Sequence, residues 1–265
     1  MKKWRNTGDR FLSAGLGVFI LFLWEMVGRL NILPAYLLPP PSRIATAMVR
    51  NADLLWQHAR ITLLQAVLGF LIAMLLGCLL ALWLDYSPVA RKTLYPYLIT
   101  SQTVPIIVLA PLFAMWFGFG ILPKVLIVVL VCFFPITISL LEGLATVDRE
   151  LMDLMHAMNA STWQKYRWVK LPAAMPSLFS GLKISGTYSI MGAVIGEWIG
   201  GRMGLGVYML RVRQSFATDQ VFAVITVIVM LSILVLKLIQ IAEKKAMPWL
   251  QHDQPYEEPV PHQET

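Results

Sequence analysis

The sequence predicts an all-α integral membrane protein with six transmembrane helices, and three observations carry that prediction. Hydrophobic residues make up 57% of the 265 residues and charged residues only 14%. The mean hydropathy of +0.66 is too high for a soluble domain of this size. The apolar residues also fall into runs of roughly 20, the length at which a helix rising 1.5 Å per residue crosses a hydrocarbon core of about 30 Å. Backbone polar groups in lipid must bond internally, so each run is expected to be a helix.

In chain order the six spans run from about Phe11 to Leu30, Leu63 to Leu84, Leu94 to Trp116, Ile121 to Leu141, Ser177 to Trp198 and Val221 to Ile241. The basic start at Lys2, Lys3, Arg5 and Arg10 is followed by no small-x-small cleavage site, so the first span is expected to stay as an anchor. Pro34, Pro39, Pro40 and Pro41 interrupt the chain after it, and the stretch from Ser42 to Arg60 reads as an outer-surface helix. Residues 1–10 are expected to be a cytoplasmic N-terminus, 11–245 a transmembrane domain and 246–265 a polar, disordered cytoplasmic tail.

The net charge of +7 is spread over the loops rather than gathered in one stripe, which argues against nucleic-acid binding. With both termini inside, Arg91, Lys92, Arg149, Lys165, Arg167, Lys170, Lys237, Lys244 and Lys245 join the N-terminal cations in the cytoplasm. The outer set is smaller: Arg29, Arg43, Arg50, Arg60, Lys124, Arg202, Arg211 and Arg213, with Lys183 placed to snorkel inward. Cys78 and Cys132 lie inside apolar runs and read as packing residues; the four histidines form no metal-ligand pattern.

The loop from Gly143 to Pro176 has its own helical grammar. Asp148 can cap a helix through Leu151, Leu154, Met155 and Met158, and Asn159 suits the left-handed residue that stops it. Ser161 with Gln164 has the form of a capping box for a second short helix, which Pro172 and Pro176 are expected to end.

The run Asp153-Leu-Met-His-Ala-Met-Asn159-Ala-Ser-Thr-Trp, continuing to Val169-Lys-Leu-Pro172, resembles the EAA motif of binding-protein-dependent ABC importer permeases. Asp153 stands for the usual glutamate, Leu154 and Met155 for two alanines, and Asn159 for the glycine. Pro105 to Gly120, Phe133-Phe-Pro135 and Gly196-Glu-Trp-Ile-Gly-Gly-Arg-Met-Gly-Leu-Gly206 resemble the subfamily serving nitrate, sulfonates, taurine and thiamine pyrimidine precursors. The resemblance implies the type I (MetI-like) permease fold and an ATPase-coupling surface at Asp153, Leu154, Met155, Ala157, Asn159, Ala160, Ser161, Leu171 and Pro172. It also implies an inner-membrane complex of two permease copies, two ABC ATPase subunits and a periplasmic or lipid-anchored solute-binding protein. No cofactor, metal or catalytic residue is expected. The texture around Ser101 to Pro105 is most similar to permeases for a hydroxymethylpyrimidine-like precursor, with sulfonates, taurine or nitrate as the alternative.

Proline at positions 96, 105 and 111 should break the third span, and Thr100, Ser101, Gln102 and Thr103 lie within it. Ser101, Gln102 and Thr103 either face a wet translocation path or bond back to their own helix. Glu197 is a further path candidate, as a gate or a partner of Arg202; an interfacial solvated carboxylate is the other reading. Small residues recur along the fifth span as Gly181, Ser185, Ser189 and Ala193, and as Gly192, Gly196 and Gly200, a pattern expected at the contact of two copies. A secondary transporter would need inverted repeats or mid-bilayer charges, and an intramembrane enzyme a nucleophile–base pair; neither pattern is present, nor is a phosphate-binding Gly-x-x-x-x-Gly-Lys-Ser/Thr loop.

Overall fold

The computed structural model describes residues 7–30, 32–34 and 36–251. Its helices, in order, are α1 Thr7–Arg29, α2 Pro41–Arg50, α3 Ala52–Tyr86, α4 Pro88–Ser101, α5 Ile106–Phe117, α6 Leu122–Ala145, α7 Arg149–Ala157, α8 Thr162–Lys165, α9 Leu171–Glu197, α10 Leu205–Gln214 and α11 Thr218–Ala246, with no strand among the described residues. Helices α3, α6, α11 and the stretch Thr162–Glu197 are each long and apolar enough to cross a membrane, and α4 with α5 form a fifth candidate bent by 97°. Helix α1 exposes Leu16, Val18, Phe19, Ile20, Leu21 and Phe22 around its circumference, as a helix surrounded by lipid does.

The core is the packing of α9 on α6 and of α6 on α3. It closes over Ala66, Ala73, Val128, Cys132, Ile136, Ile190 and Ala193. Lipid offers helices no hydrophobic reason to associate, so close backbone approach through small residues supplies the contact. A Cβ on Gly69 would sit 2.5 Å from the Val128 side chain, and one on Gly181 2.7 Å from Ser139. Ser185 Oγ donates to the Cys132 carbonyl at 2.9 Å, and the Cys132 thiol to the Ser185 carbonyl at 3.2 Å. The small-residue stripes of α9 therefore pack on α6 of the same chain, not on a second copy. Lys183 pairs with Glu243 of α11 at 2.7 Å.

Four boundaries differ from those the sequence suggested, each for a local reason. Helix α3 begins at Ala52, eleven residues ahead of the expected Leu63, because Leu55, His58, Ala59 and Thr62 are buried although Gln57 and Arg60 interrupt the hydropathy. Pro96 and Pro111 lie inside α4 and α5, and the break falls at Gln102–Pro105. Pro105 disfavours helix at Val104, and the amides of Thr103 and Val104 turn back to Thr100 and Ser101 at 3.1 and 3.3 Å. Pro172 and Pro176 do not end the helix after Ser161. A π turn at Tyr166–Lys170, in which the Leu171 amide reaches the Tyr166 carbonyl, carries the chain into α9 with Pro172 in its first turn. Lastly, Ala246 closes α11, Met247 is buried in the core, and Pro248–Gln251 forms a 3-10 turn, so only residues 252–265 of the expected tail lie outside the described residues.

Helix α1 ends at a polar clamp. Glu25, which also pairs with Arg29, caps the start of α2 by accepting from the Ser42 amide at 2.9 Å and hydroxyl at 2.7 Å, where N-cap Pro40 has no side-chain acceptor. The close approach at Gly69 makes a direct prediction. Gly69→Val should lower the unfolding free energy in detergent by about 1–3 kcal/mol through overpacking, whereas Gly17→Val, with no atom near its Cβ, should stay within about 0.5 kcal/mol; thermal unfolding monitored by circular dichroism compares them.

Candidate functional site

Two polar constructions stand at opposite ends of α3 and α9. At one end, the chain leaves α6 and builds α7 and α8 from local capping. Asp148 accepts from the Glu150 amide at 3.0 Å. Asn159 has φ 55°, and the bonds Asn159 N–H to His156 O and Ala160 N–H to Met155 O, both 2.9 Å, close a Schellman motif with Asn159 in the left-handed position. Ser161 and Gln164 form the reciprocal capping box, at 3.3 Å from the Gln164 amide to Ser161 Oγ and 2.7 Å from the Ser161 amide to Gln164 Oε1. Two short helices are thereby set in a V by local capping.

That V is an open surface. Helix α7 buries no side chain of its own, and Leu151, Leu154, Met158, Trp163 and Trp168 are all exposed. Of the residues expected to couple to an ATPase, Asp153, Leu154, Ala157, Asn159 and Ser161 are exposed, and Met155, Ala160, Leu171 and Pro172 are half-buried. Behind the V, a groove of about 420 Å³ is lined by Leu82, Trp83, Tyr86, Thr162, Trp163, Tyr166 and Leu171. The V is fastened to the body by Asp85, a residue the sequence reading passed over. Its carboxylate accepts from Tyr166 Oη at 2.5 Å and pairs with Lys170 Nζ at 2.7 Å. A lone carboxylate on the last turn of an apolar span was the available signal.

The bend between α4 and α5 exposes Ser101, Gln102, Thr103 and Val104 together. Ser101 Oγ donates to the Leu98 carbonyl at 2.9 Å and Thr103 Oγ1 to the Thr100 carbonyl at 2.7 Å, so both hydroxyls bond back to the chain while facing outward. Glu197 is not brought together with them. It is 1% exposed, so its carboxylate is neither solvated nor paired with Arg202.

Glu197 instead anchors the second construction, at the start of α10. That helix begins after Gly204, which offers no side-chain cap. The cap comes from elsewhere: Glu197 accepts from the Gly206 amide at 2.7 Å and from Thr62 Oγ1 at 2.7 Å, and Thr62 Oγ1 accepts from the Leu205 amide at 2.8 Å. His58 Nδ1 lies 2.9 Å from the Gly204 amide nitrogen and 2.8 Å from its carbonyl oxygen, and its ring stacks on Tyr208 with centroids 5.2 Å apart. A carboxylate against helix N–H groups is favoured by both hydrogen bonding and the helix dipole. Gly204 sits at φ 130°, where a Cβ would overlap the Glu197 carboxylate, which explains the glycine ahead of α10. Lys124, assigned to the outer set of cations, is buried in the first turn of α6. Among the described residues no group of His, Cys, Asp or Glu is arranged to hold a metal ion.

An all-helical membrane body carrying this exposed helical V is the architecture of a type I ABC importer permease. The chain belongs to the family of binding-protein-dependent transport system inner membrane components, whose model matches residues 66–245. It is 34% identical, over 88% of its length and 93% of the relative's, to the formylaminopyrimidine transport permease protein ThiX of Halalkalibacterium halodurans. It is 32% identical to the riboflavin transport system permease protein RibX of Chloroflexus aurantiacus, over 91% of this chain and 92% of that one. Identity is 30% to the putative aliphatic sulfonates transport permease protein SsuC of Bacillus subtilis, over 88% and 86%. Among solved structures, an amino acid ABC transporter chain superposes with a TM-score of 0.63 at 18% identity, covering 76% of this chain and 97% of that one. The chain is thus a multi-pass inner-membrane transport permease.

The left-handed Asn159 yields a test of the V. Asn159→Val places a β-branched residue at positive φ and should cost about 1–2 kcal/mol locally. Limited trypsin digestion at Lys165 and Arg167 should then speed several-fold, while Asn159→Gly leaves the rate near that of the parent.

Proposed function

We propose that this chain forms the membrane path of an ATP-driven importer for a neutral, hydroxymethylpyrimidine-like thiamine precursor. Two copies pair around the path, two separate ATPase subunits dock on the α7–α8 V, and a solute-binding protein delivers substrate at the opposite face. Both termini lie in the cytoplasm, in keeping with the cations that flank the V. The observation that carries the substrate assignment is the bend at Ser101–Val104: its exposed groups are neutral hydrogen-bonding and apolar side chains, with no cation among them. Such a surface suits a neutral nitrogen heterocycle better than an anion, whose desolvated charge needs a positive partner. The relatives named for formylaminopyrimidine and riboflavin transport support the same class.

A second reading is import of sulfonates, taurine or nitrate by the same mechanism. It is favoured by the exposed Arg202, Arg211 and Arg213 and by the sulfonate-transport relative.

Uptake of labelled hydroxymethylpyrimidine separates the two. In cells carrying this gene and its neighbouring ATPase gene, uptake should require both and resist excess taurine, alkanesulfonate and nitrate. Uptake indifferent to this gene discards the pyrimidine, and competition by the anions transfers the assignment to them. Within the pyrimidine reading, Gln102→Ala should raise the half-saturating concentration about three- to tenfold, the loss of one hydrogen bond of about 0.5–1.5 kcal/mol. Unchanged kinetics would remove Gln102 from the path.

A further inference from the structure

The groove behind the V lies where α3 ends. Leu82, Trp83 and Tyr86 line it from the last turns of that helix, and Thr162, Trp163 and Tyr166 line it from α8 and the π turn. Helix α3 is long and apolar enough to cross a membrane, and its apolar run ends at Leu84, so these turns stand at the boundary between hydrocarbon and headgroups. The lining suits that depth. Trp83, Tyr86 and Trp163 are 53%, 69% and 67% exposed, and indole and phenol rings, apolar in body and polar at one end, prefer this boundary. The groove is otherwise almost wholly apolar, because the Tyr166 hydroxyl is turned to Asp85.

Its rim is basic. Residues 162–171 include Lys165, Arg167 and Lys170 and no acidic residue. Lys170 is already paired with Asp85. On a helix that turns about 100° per residue, Lys165 and Arg167 fall on either side of the face formed by Thr162, Trp163 and Tyr166. Lys165 Nζ lies 3.0 Å from His156 Nδ1, and the exposed Arg167 guanidinium lies 5.8 Å from the ring centroid of Trp168. Arg91 and Lys92 stand near the start of α4, whose Ala90 and Leu94 pack into the same apolar cluster as Leu82 and Tyr166. Among the described residues no carboxylate pairs with Arg91, Lys92, Lys165 or Arg167. An apolar trough at the end of a span is thus bordered by uncompensated positive charge.

We propose that this groove binds one anionic phospholipid, with an acyl chain against Leu82, Trp83 and Trp163 and the phosphate between Lys165 and Arg167, and that the lipid ties the V to the end of α3. The inference rests on the importer reading, which places this leaflet at the cytoplasm and an ATPase on the V. A lipid fits the groove better than the ATPase does. No residue of α7 lines it, and the exposed Leu151, Leu154 and Met158 of α7 form a separate apolar surface. Basic pockets between helices at a membrane surface attract anionic headgroups, and the chain covers apolar lining that water would otherwise meet. The phosphate is the acceptor that Lys165 and Arg167 lack within the chain, and Asp85 then ceases to be the main tie between the V and the body.

The test uses the full permease, with and without its ATPase, delipidated in detergent and titrated with phosphatidylglycerol or phosphatidylcholine while native mass spectrometry counts bound lipids. The parent should hold phosphatidylglycerol about tenfold more tightly than phosphatidylcholine, and Lys165→Gln/Arg167→Gln should abolish that preference. Arg149→Gln, which removes an exposed cation of α7 outside the groove, should leave it intact. If the double variant fails to assemble, Arg167→Gln alone, altered at an exposed position, decides. In vesicles, ATP hydrolysis by the parent complex should rise several-fold when phosphatidylglycerol is added, and the double variant should lose the rise. Equal affinity of the parent for the two lipids overturns the proposal. So does an equal loss in Arg149→Gln, which would mean general surface attraction. Phosphatidylglycerol expelled when the ATPase is added also overturns it, since the groove would then be part of the ATPase dock. A parent permease that shows the lipid preference but recruits no ATPase overturns the importer reading and leaves the lipid site standing.

Discussion

The close contact of α9 with α6 is the constraint on which the remaining structure depends. In lipid the apolar side chains of two helices gain nothing by leaving their surroundings, so a stable bundle needs backbones near enough for dense packing and short polar links. Gly181, Gly192 and Gly196 bring α9 against α6, and the exchanged bonds between Cys132 and Ser185 fix its register. Helix α3 joins by the same means, with Gly69 against Val128 and Gly77 against Thr137. Large residues at these sites would push the helices apart and take both functional ends with them.

Those ends are built by contrasting strategies. The V of α7 and α8 is capped from within a dozen residues and touches the body chiefly through Asp85, so it can be stiff internally while keeping its apolar faces open to a partner. The start of α10 has almost no local capping. Its amides are met by α3 residues 143 and 146 positions away and by Glu197, nine positions away. A helix capped in this way takes its position from the packing of α3 and α9.

This difference also decides what could be read from the sequence. Spans and the V were legible because their signals are local: apolar runs, Asp148 as a cap, Asn159 as a stop, and Ser161 spaced for Gln164. The cap on α10 was not. Thr62 and His58 lie in a stretch whose polar residues made it look like a surface helix, and Glu197 gave no sign of which amides it would meet. The small-residue stripes of α9 were visible, but periodicity says only that something comes close; α6 of the same chain is what does. Pro172 carried a strong stop signal, yet the π turn at Tyr166–Lys170 carries the chain into α9 with Pro172 in its first turn.

The same π turn bears on how motion could pass through the molecule. Helix α9 runs as one helix from Leu171 beside the V to Glu197 at the start of α10, the continuous element that joins the two ends. Tyr166–Lys170 is the exception: a π turn widens the helix and departs from the regular i→i+4 bonding. Asp85 grips that turn through Tyr166 and Lys170, tying it to the end of α3 rather than leaving it loose. Beside this rod, α4 and α5 are held differently: α4 buries no residue and α5 buries only Ala110 and Ala114. A stiff rod capped at both ends and a bent, lightly packed pair alongside it divide the bundle into a part suited to transmit displacement and a part suited to yield. In the proposed importer the neutral bend at Gln102 belongs to the yielding part, where a small rotation would change what the path exposes without disturbing the start of α10 or the V.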